Sequence, residues 1–176
     1  MHARLLSLLM ILPLSACAAS AAAPTNPAAP ASAAVLAGPV SYEVRSWGRL
    51  LVRWQVNPDG SGEIWRGARQ QKDAGAISKY RLRLEGDALR TFTRNVEDAR
   101  LATREGIACK KEIFDLPYGS ITWDFPGARQ TYAFDAGCRS EAGDAAQELL
   151  TLANDNVENL AKIEATPYMV DPAGPR

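Results

Sequence analysis

The chain has 176 residues, with 20 basic and 20 acidic side chains and no net charge. That balance excludes a strongly basic nucleic-acid binder, and no run of about 20 apolar residues is present for a membrane-spanning helix. At 47 % apolar and 7 % aromatic the composition is that of an ordinary globular chain, of a length that suits one domain.

Met1-His2-Ala3-Arg4 is a short positive start, and Leu5 to Leu14 is a compact apolar stretch, the order of a secretory signal. Leu14-Ser15-Ala16-Cys17 follows: an aliphatic residue, two small residues and a cysteine. This tetrapeptide resembles the lipobox of bacterial lipoproteins. The resemblance covers the first 17 residues and implies that residues 1–16 are a signal peptide and that Cys17 becomes the first residue of the mature chain. Its thiol would take a diacylglycerol, and its freed amine a further acyl chain such as palmitate. Each buried methylene contributes about 0.8 kcal/mol, so two or more chains hold firmly where one is marginal. The alternative is an ordinary secretory signal in which Cys17 is incidental. Ala18, rather than an aspartate, follows the cysteine. The resemblance then implies a periplasm-facing protein of the outer membrane rather than the inner.

Residues 17–38 are dominated by Ala, Pro and Ser, with Pro24, Pro27 and Pro30 spaced along them. Too few large apolar groups are present to offset the ordering entropy, and each proline breaks an alanine helix, so the segment is expected to be a tether. Residues 39–176 are expected to be a single globular domain. Its first part, residues 39–90, has ten Lys or Arg against six Asp or Glu, and the remainder has nine against fourteen. Either two solvated regions attract each other across the fold, or a basic sheet surface awaits an anionic partner; the first reading is the more ordinary.

Tyr42 to Arg45 alternates apolar and polar residues. Leu50 to Asn57 does so more strongly, with Val52, Trp54 and Val56 on one face. Asn57-Pro58-Asp59-Gly60 is a turn, because proline presets one dihedral and glycine suits the exit. Gly62 to Gly67 returns as a strand, Arg66 to Gly75 looks like a polar loop, and Ile77 to Glu85 alternates again. There Tyr80, Leu82 and Leu84 oppose Lys79, Arg81 and Arg83.

Asp87 is a good helix N-cap, and Leu89, Phe92, Val96 and Ala99 fall on one helical face up to about Ala102, with Gly106 beyond. Residues 107–118 read as irregular. Gly119–Phe125 and Ala128–Asp135 form a second hairpin about Pro126-Gly127. A long amphipathic helix starts near Ser140, with Ala146, Leu149, Leu150, Ala153, Val157, Leu160 and Ala161 inward and Glu148, Asp155 and Glu158 outward. The residues from Asp171 read as a frayed tail.

Strands, helix, hairpin, helix is the order of an α+β fold: an antiparallel sheet of about five to six strands with both helices on one face. The domain loosely resembles small secreted bacterial domains of unknown function. The other sheet face would be at least partly open, and Arg53, Arg81 and Arg83 are the candidate partner contacts on it, with Trp47 and Trp65 as candidate aromatic companions.

With Cys17 lipidated, Cys109 and Cys138 remain as an even pair in an oxidising compartment, and a disulfide is the natural expectation. Chain entropy assigns such a link about 3.5 kcal/mol before strain. The two lack Cys-x-x-Cys spacing for redox work, and two cysteines without histidine do not make a structural zinc site. The only histidine is His2, in the expected signal. Histidine-dependent triads and metal hydrolysis are therefore not expected, nor is any phosphate loop, cofactor or metal. A carboxylate pair of the glycosidase type could be drawn only from Asp115, Asp124 and Asp135, whose plainer role is solvation of turns and strand ends; the paired Glu97-Asp98 belongs on the solvated side of the first helix. The expected role is a non-catalytic, lipid-anchored binding or accessory module for another envelope macromolecule. The alternatives are an inhibitor of a lysozyme or protease, a carboxylate-dependent cell-wall glycan enzyme, and a small-ligand carrier.

Overall fold

The computed structural model describes residues 35–68 and 75–172. The expected signal, Cys17 and most of the expected tether lie outside those residues, as does the middle of the expected 66–75 loop. The element order is β1 (Val40–Ser46), β2 (Arg49–Val56), β3 (Ser61–Gly67), β4 (Ile77–Arg83), α1 (Gly86–Ala102), β5 (Tyr118–Phe125), β6 (Ala128–Asp135), α2 (Glu141–Leu160), β7 (Lys162–Ile163) and β8 (Met169–Asp171).

The fold is α+β, with one open antiparallel sheet in the order β6-β5-β1-β2-β3-β4-β7; β8 also pairs with β4. The first four strands are a meander. After α1 the chain returns to the far side, where β5 pairs with β1 from Val40↔Trp123 to Arg45↔Tyr118. The number of strands exceeds the expected five to six because residues 162–171, past the second helix, form two further short strands. They turn back along β4, with Leu82↔Ile163 and Lys79↔Met169 in register. Elements of two and three residues carry no readable period, and Pro167 and Pro172 at their margins suggest a coil.

Alternation decides which face is buried. Val40, Tyr42, Trp54, Val56, Ile64, Leu82, Ile121 and Trp123 all point toward the helices and are buried. The rings of Tyr42, Trp54 and Phe134 stack at 5.1 and 5.6 Å, and Phe92 of α1 meets Trp54 edge-on at 5.4 Å. Both buried indoles satisfy their N–H groups. Trp54 Nε1 donates to Asn154 Oδ1 of α2 at 3.2 Å, and Trp123 Nε1 donates to the Val96 carbonyl of α1 at 3.0 Å. Both helices thus lie on one sheet face. They are joined there by Asn95 Nδ2 donating to Asn156 Oδ1 at 2.8 Å, a polar contact at a buried position.

Three local expectations are corrected. The N-cap of α1 is Glu85, in extended backbone and without a side-chain cap; Asp87 sits in the first turn and pairs with Arg90 instead. Leu160, expected inward, is 47 % exposed at the C-terminal end of α2. The packed domain also starts earlier than residue 39. Leu36 is buried, and a Cβ on Gly38 would stand 2.1 Å from the Asp124 carbonyl oxygen, so the last residues assigned to the tether already dock against β5. The start of α2 is as expected, and Ser140 caps it, its Oγ accepting from the Gly143 N–H at 3.0 Å. The Asn57–Gly60 turn is also as expected, closed by Gly60 N–H to the Asn57 carbonyl at 2.9 Å with Gly60 at φ +80°.

Candidate functional site: the open sheet face and its hairpin end

The uncovered face carries the side chains that alternate with the core. Cross-strand register sets Glu43 beside Arg53, Arg53 beside Trp65, and Trp65 beside Lys79. A neighbouring rung runs Ser41, Gln55, Glu63, Arg81. Ser41, Glu43, Arg53, Gln55, Trp65 and Ser120 line a shallow depression, continued past Gln55 by Asn57, Ser61, Glu63 and Arg81.

Arg53, Arg81 and Trp65 therefore share this face, and Arg83 stands at its margin near the 57–60 turn. None of the arginines is a free cation. Arg53 Nε donates to Glu43 Oε2 at 2.6 Å, Arg45 grips the other oxygen of the same carboxylate, and the Arg53 guanidinium lies 5.9 Å from the Trp65 ring. Burial alone would raise the Glu43 carboxyl, but the hydrogen bonds and charges of Arg45 and Arg53 outweigh it and hold the group below its ordinary value. Arg81 lies over the Tyr168 ring at 5.3 Å and 3.9 Å from Glu164. Burial, with Glu63 next in weight, raises the Tyr168 hydroxyl. Arg83 pairs with Glu85 at 3.1 Å and Asp59 at 3.9 Å. The face is a mosaic of paired charges rather than a basic patch. The charge asymmetry along the chain resolves as attraction across the fold: Arg66 to Glu158, Lys79 to Asp171 and Arg81 to Glu164 each join a base of the first part to an acid of the second.

Trp47 is not on this face. It occupies the tip of the β1–β2 hairpin, in a two-residue turn with φ +51° at Trp47 and +74° at Gly48. Ser46 pairs with Arg49 across it. Two positive φ values make this the turn whose twist matches a hairpin, and its usual residues are Asn-Gly. The register slips between Val44 and Arg45, leaving Leu51 as a bulge residue directed outward. Trp47 is 77 % exposed and Phe114, from the irregular 107–117 segment, is 75 % exposed. Ile113, Leu51 and Tyr118 add further exposed apolar surface at the same end of the sheet. A separate hollow of about 140 Å³ is lined by Trp47, Lys111, Phe114, Asp115, Leu116 and Tyr118. The Trp47-Gly48 dipeptide between two alternating runs was the sequence signal for this tip; nothing in the sequence signalled that Phe114 would join it.

Cys109 and Cys138 form a disulfide with Cα atoms 5.0 Å apart. It ties the segment after α1 to the start of α2. Lys111 bridges to Cys138 through the backbone, and the Arg139 N–H donates to the Lys110 carbonyl at 3.0 Å. Beside it lies a cleft with Ile107, Leu116, Tyr132 and Phe134 among its walls.

Of the three candidate aspartates, Asp124 and Asp135 do not assemble. Asp124 and Asp135 sit at opposite ends of the β5–β6 hairpin, paired in register with Arg129 and Tyr118 respectively. Six residues of strand separate those ends, about 20 Å, well beyond the spacing of a glycosidase pair. Burial would raise the Asp135 carboxyl, but Lys111 at 2.5 Å and the Gly137 N–H hold it below its ordinary value, the wrong direction for a general acid. Asp115 and Asp124 are exposed. Glu97 is bonded to Arg100 on the outside of α1. Among the described residues no group of three or more His, Cys, Asp or Glu could hold a metal, and no helix is long and apolar enough to cross a membrane.

Comparison with family models, with curated proteins and with solved structures finds no match for this chain.

Proposed function

We propose that this chain is a lipid-anchored protein of the bacterial cell envelope, held through Cys17, whose domain binds another envelope macromolecule without catalysing a reaction. The observation that carries the binding half is the asymmetry of the sheet. Both helices cover one face, while the other offers Trp65, Gln55, Glu63 and the Glu43–Arg53 and Arg81–Glu164 pairs to solvent. Exposed ion pairs are worth only about 0–1 kcal/mol each, so exchanging an internal carboxylate for a partner's costs little and adds specificity. The anchoring half is supported by Leu14-Ser15-Ala16-Cys17 and the Ala/Pro-rich sequence after it.

The test is in-cell crosslinking of the full chain, with mass spectrometry of what is retained against a Cys17→Ser control. A near-stoichiometric envelope partner is expected, with its binding weakened by Arg81→Glu and Arg83→Glu together while the domain stays folded. Full affinity in that double variant removes the sheet face from the reading. Mature wild-type chain whose Cys17 carries no acyl mass removes the anchor.

A further inference from the structure

We infer that the hairpin tip is a self-association surface: two copies of this chain pair about a two-fold axis through Trp47, each indole entering the hollow beside the other's tip. The backbone at Trp47 is the first reason. A bulky residue at φ +51° is a conformational outlier where Asn or Gly would rest without strain. The indole recovers nothing inside its own fold, since it is 77 % exposed. Strain that the fold does not use points to a contact outside it.

The second reason is shape. The protrusion and a receptor for it lie side by side. The adjoining hollow of about 140 Å³ has Phe114, Leu116, Tyr118 and Trp47 itself in its walls. Lys111 and Asp115 complete the lining, so the hollow is open to solvent and partly polar, with room for an indole to rest in rather than be enclosed. A knob next to its own kind of hole is satisfied by a two-fold operation, because each copy then supplies both.

Area and charge agree with that occupant. Trp47, Phe114, Ile113, Leu51 and Tyr118 together present roughly 500 Å² of apolar surface per copy, the size of the largest patch on a soluble monomer, which is often a functional one. Doubled, this is about 1,000 Å², the lower bound for a specific interface, so a weak, reversible dimer is implied. The chain carries no net charge, and the lysines near the patch are neutralised within their own copy, Lys110 by Glu112 at 3.0 Å and Lys111 by Asp135 at 2.5 Å. The lysines thus add no repulsion between two copies, and the exposed Arg49 beside Gly48 is the cation that the contact must accommodate.

Sedimentation equilibrium of the mature chain, residues 17–176 with Cys17→Ser, which carries neither the apolar leader nor acyl groups, tests this. The expected result is a monomer–dimer equilibrium between about 1 and about 300 µM. Trp47→Gly and Phe114→Glu should each weaken it about 30-fold or more. Trp47→Gly should do so with an unchanged or higher thermal midpoint, because glycine is at ease at that φ. A merely structural Trp47 would lose stability instead. Wild-type chain that stays monomeric across the range overturns the proposal, as does association that persists undiminished in Trp47→Gly. Monomer that binds phosphatidylcholine vesicles through Trp47 also overturns it, and assigns the tip to lipid.

Discussion

The two faces of one sheet are built from the same strands, residue by alternate residue, and they obey opposite rules. On the covered face each large group is placed by packing. Trp54 and Trp123 are fully buried, and even their polar N–H groups are bonded to the helices above. On the open face the basic side chains Arg53, Lys79 and Arg81 are placed by charge pairing, and their partners stand on adjacent strands or in the returning C-terminal segment. The contrast teaches where sequence tolerance lies. A packing defect on the covered face has no solvent to relax into, whereas the open face can exchange one partner for another at little cost.

The largest break in that comparison should come from the aromatic core. Trp54→Ala is expected to lower unfolding free energy by about 3–5 kcal/mol, whereas Trp65→Ala, on the adjacent strand and the other face, should cost about 1 kcal/mol or less. Urea denaturation of the two variants measures the difference directly, and equal losses would mean that the open face is packed like the closed one.

The disulfide sharpens the contrast from the helix side, since it joins the segment leaving α1 to the start of α2, the two elements that make the cover. The double variant Cys109→Ser/Cys138→Ser should lose about 2–4 kcal/mol. Hydrogen exchange should rise first in residues 107–117 and the first turn of α2, with the central strands β1 and β2 protected last.

The smallest effect concerns Glu43. Its carboxyl binds a proton less readily in the folded chain than at the ordinary value of 4.5. The stability it contributes is therefore whole above that pH and is lost as pH falls through the lowered folded value. Asp59, Glu85, Glu97 and Asp135 shift in the same direction and share the acid limb. Glu43→Gln should leave stability near neutrality slightly reduced and flatten the fall between about pH 5 and about pH 3. An unchanged acid limb would show that the two arginines do not hold this carboxylate in solution.

Much of this arrangement was legible in the sequence. Alternation in β2, β4 and β5 assigned the faces, the spacing of Phe92, Val96 and Ala99 placed α1, and the cysteine count implied the link. What was not legible depends on register or on short range. The pairing of Arg53 with Glu43 follows from which residues stand opposite across β1 and β2, and alternation does not encode register between strands. The docking of Leu36 was hidden by the Ala/Pro-rich composition around it. The strands at 162–163 and 169–171 are too short to show a period. In the candidate site, Arg53, Arg81 and Trp65 were grouped correctly by face. Trp47 was misplaced because, although Gly48 marks the turn, a tryptophan rarely takes the left-handed conformation that puts it at the tip.

The path of the chain through the sheet has a bearing on how the protein is made. Its first four strands form a meander that remains without its covering layer until α1 arrives. Strand β1 lacks its second neighbour until residues near 120 are available, and β4 waits for residues 162–171. A nascent chain delivered from its N-terminus thus cannot bank a finished substructure along the way. It gains its last sheet hydrogen bonds only when almost its whole length is free. Such distant pairings belong to the slow, millisecond-to-second class of folding, and during that interval the bare strand margins are where a holding chaperone would have to act.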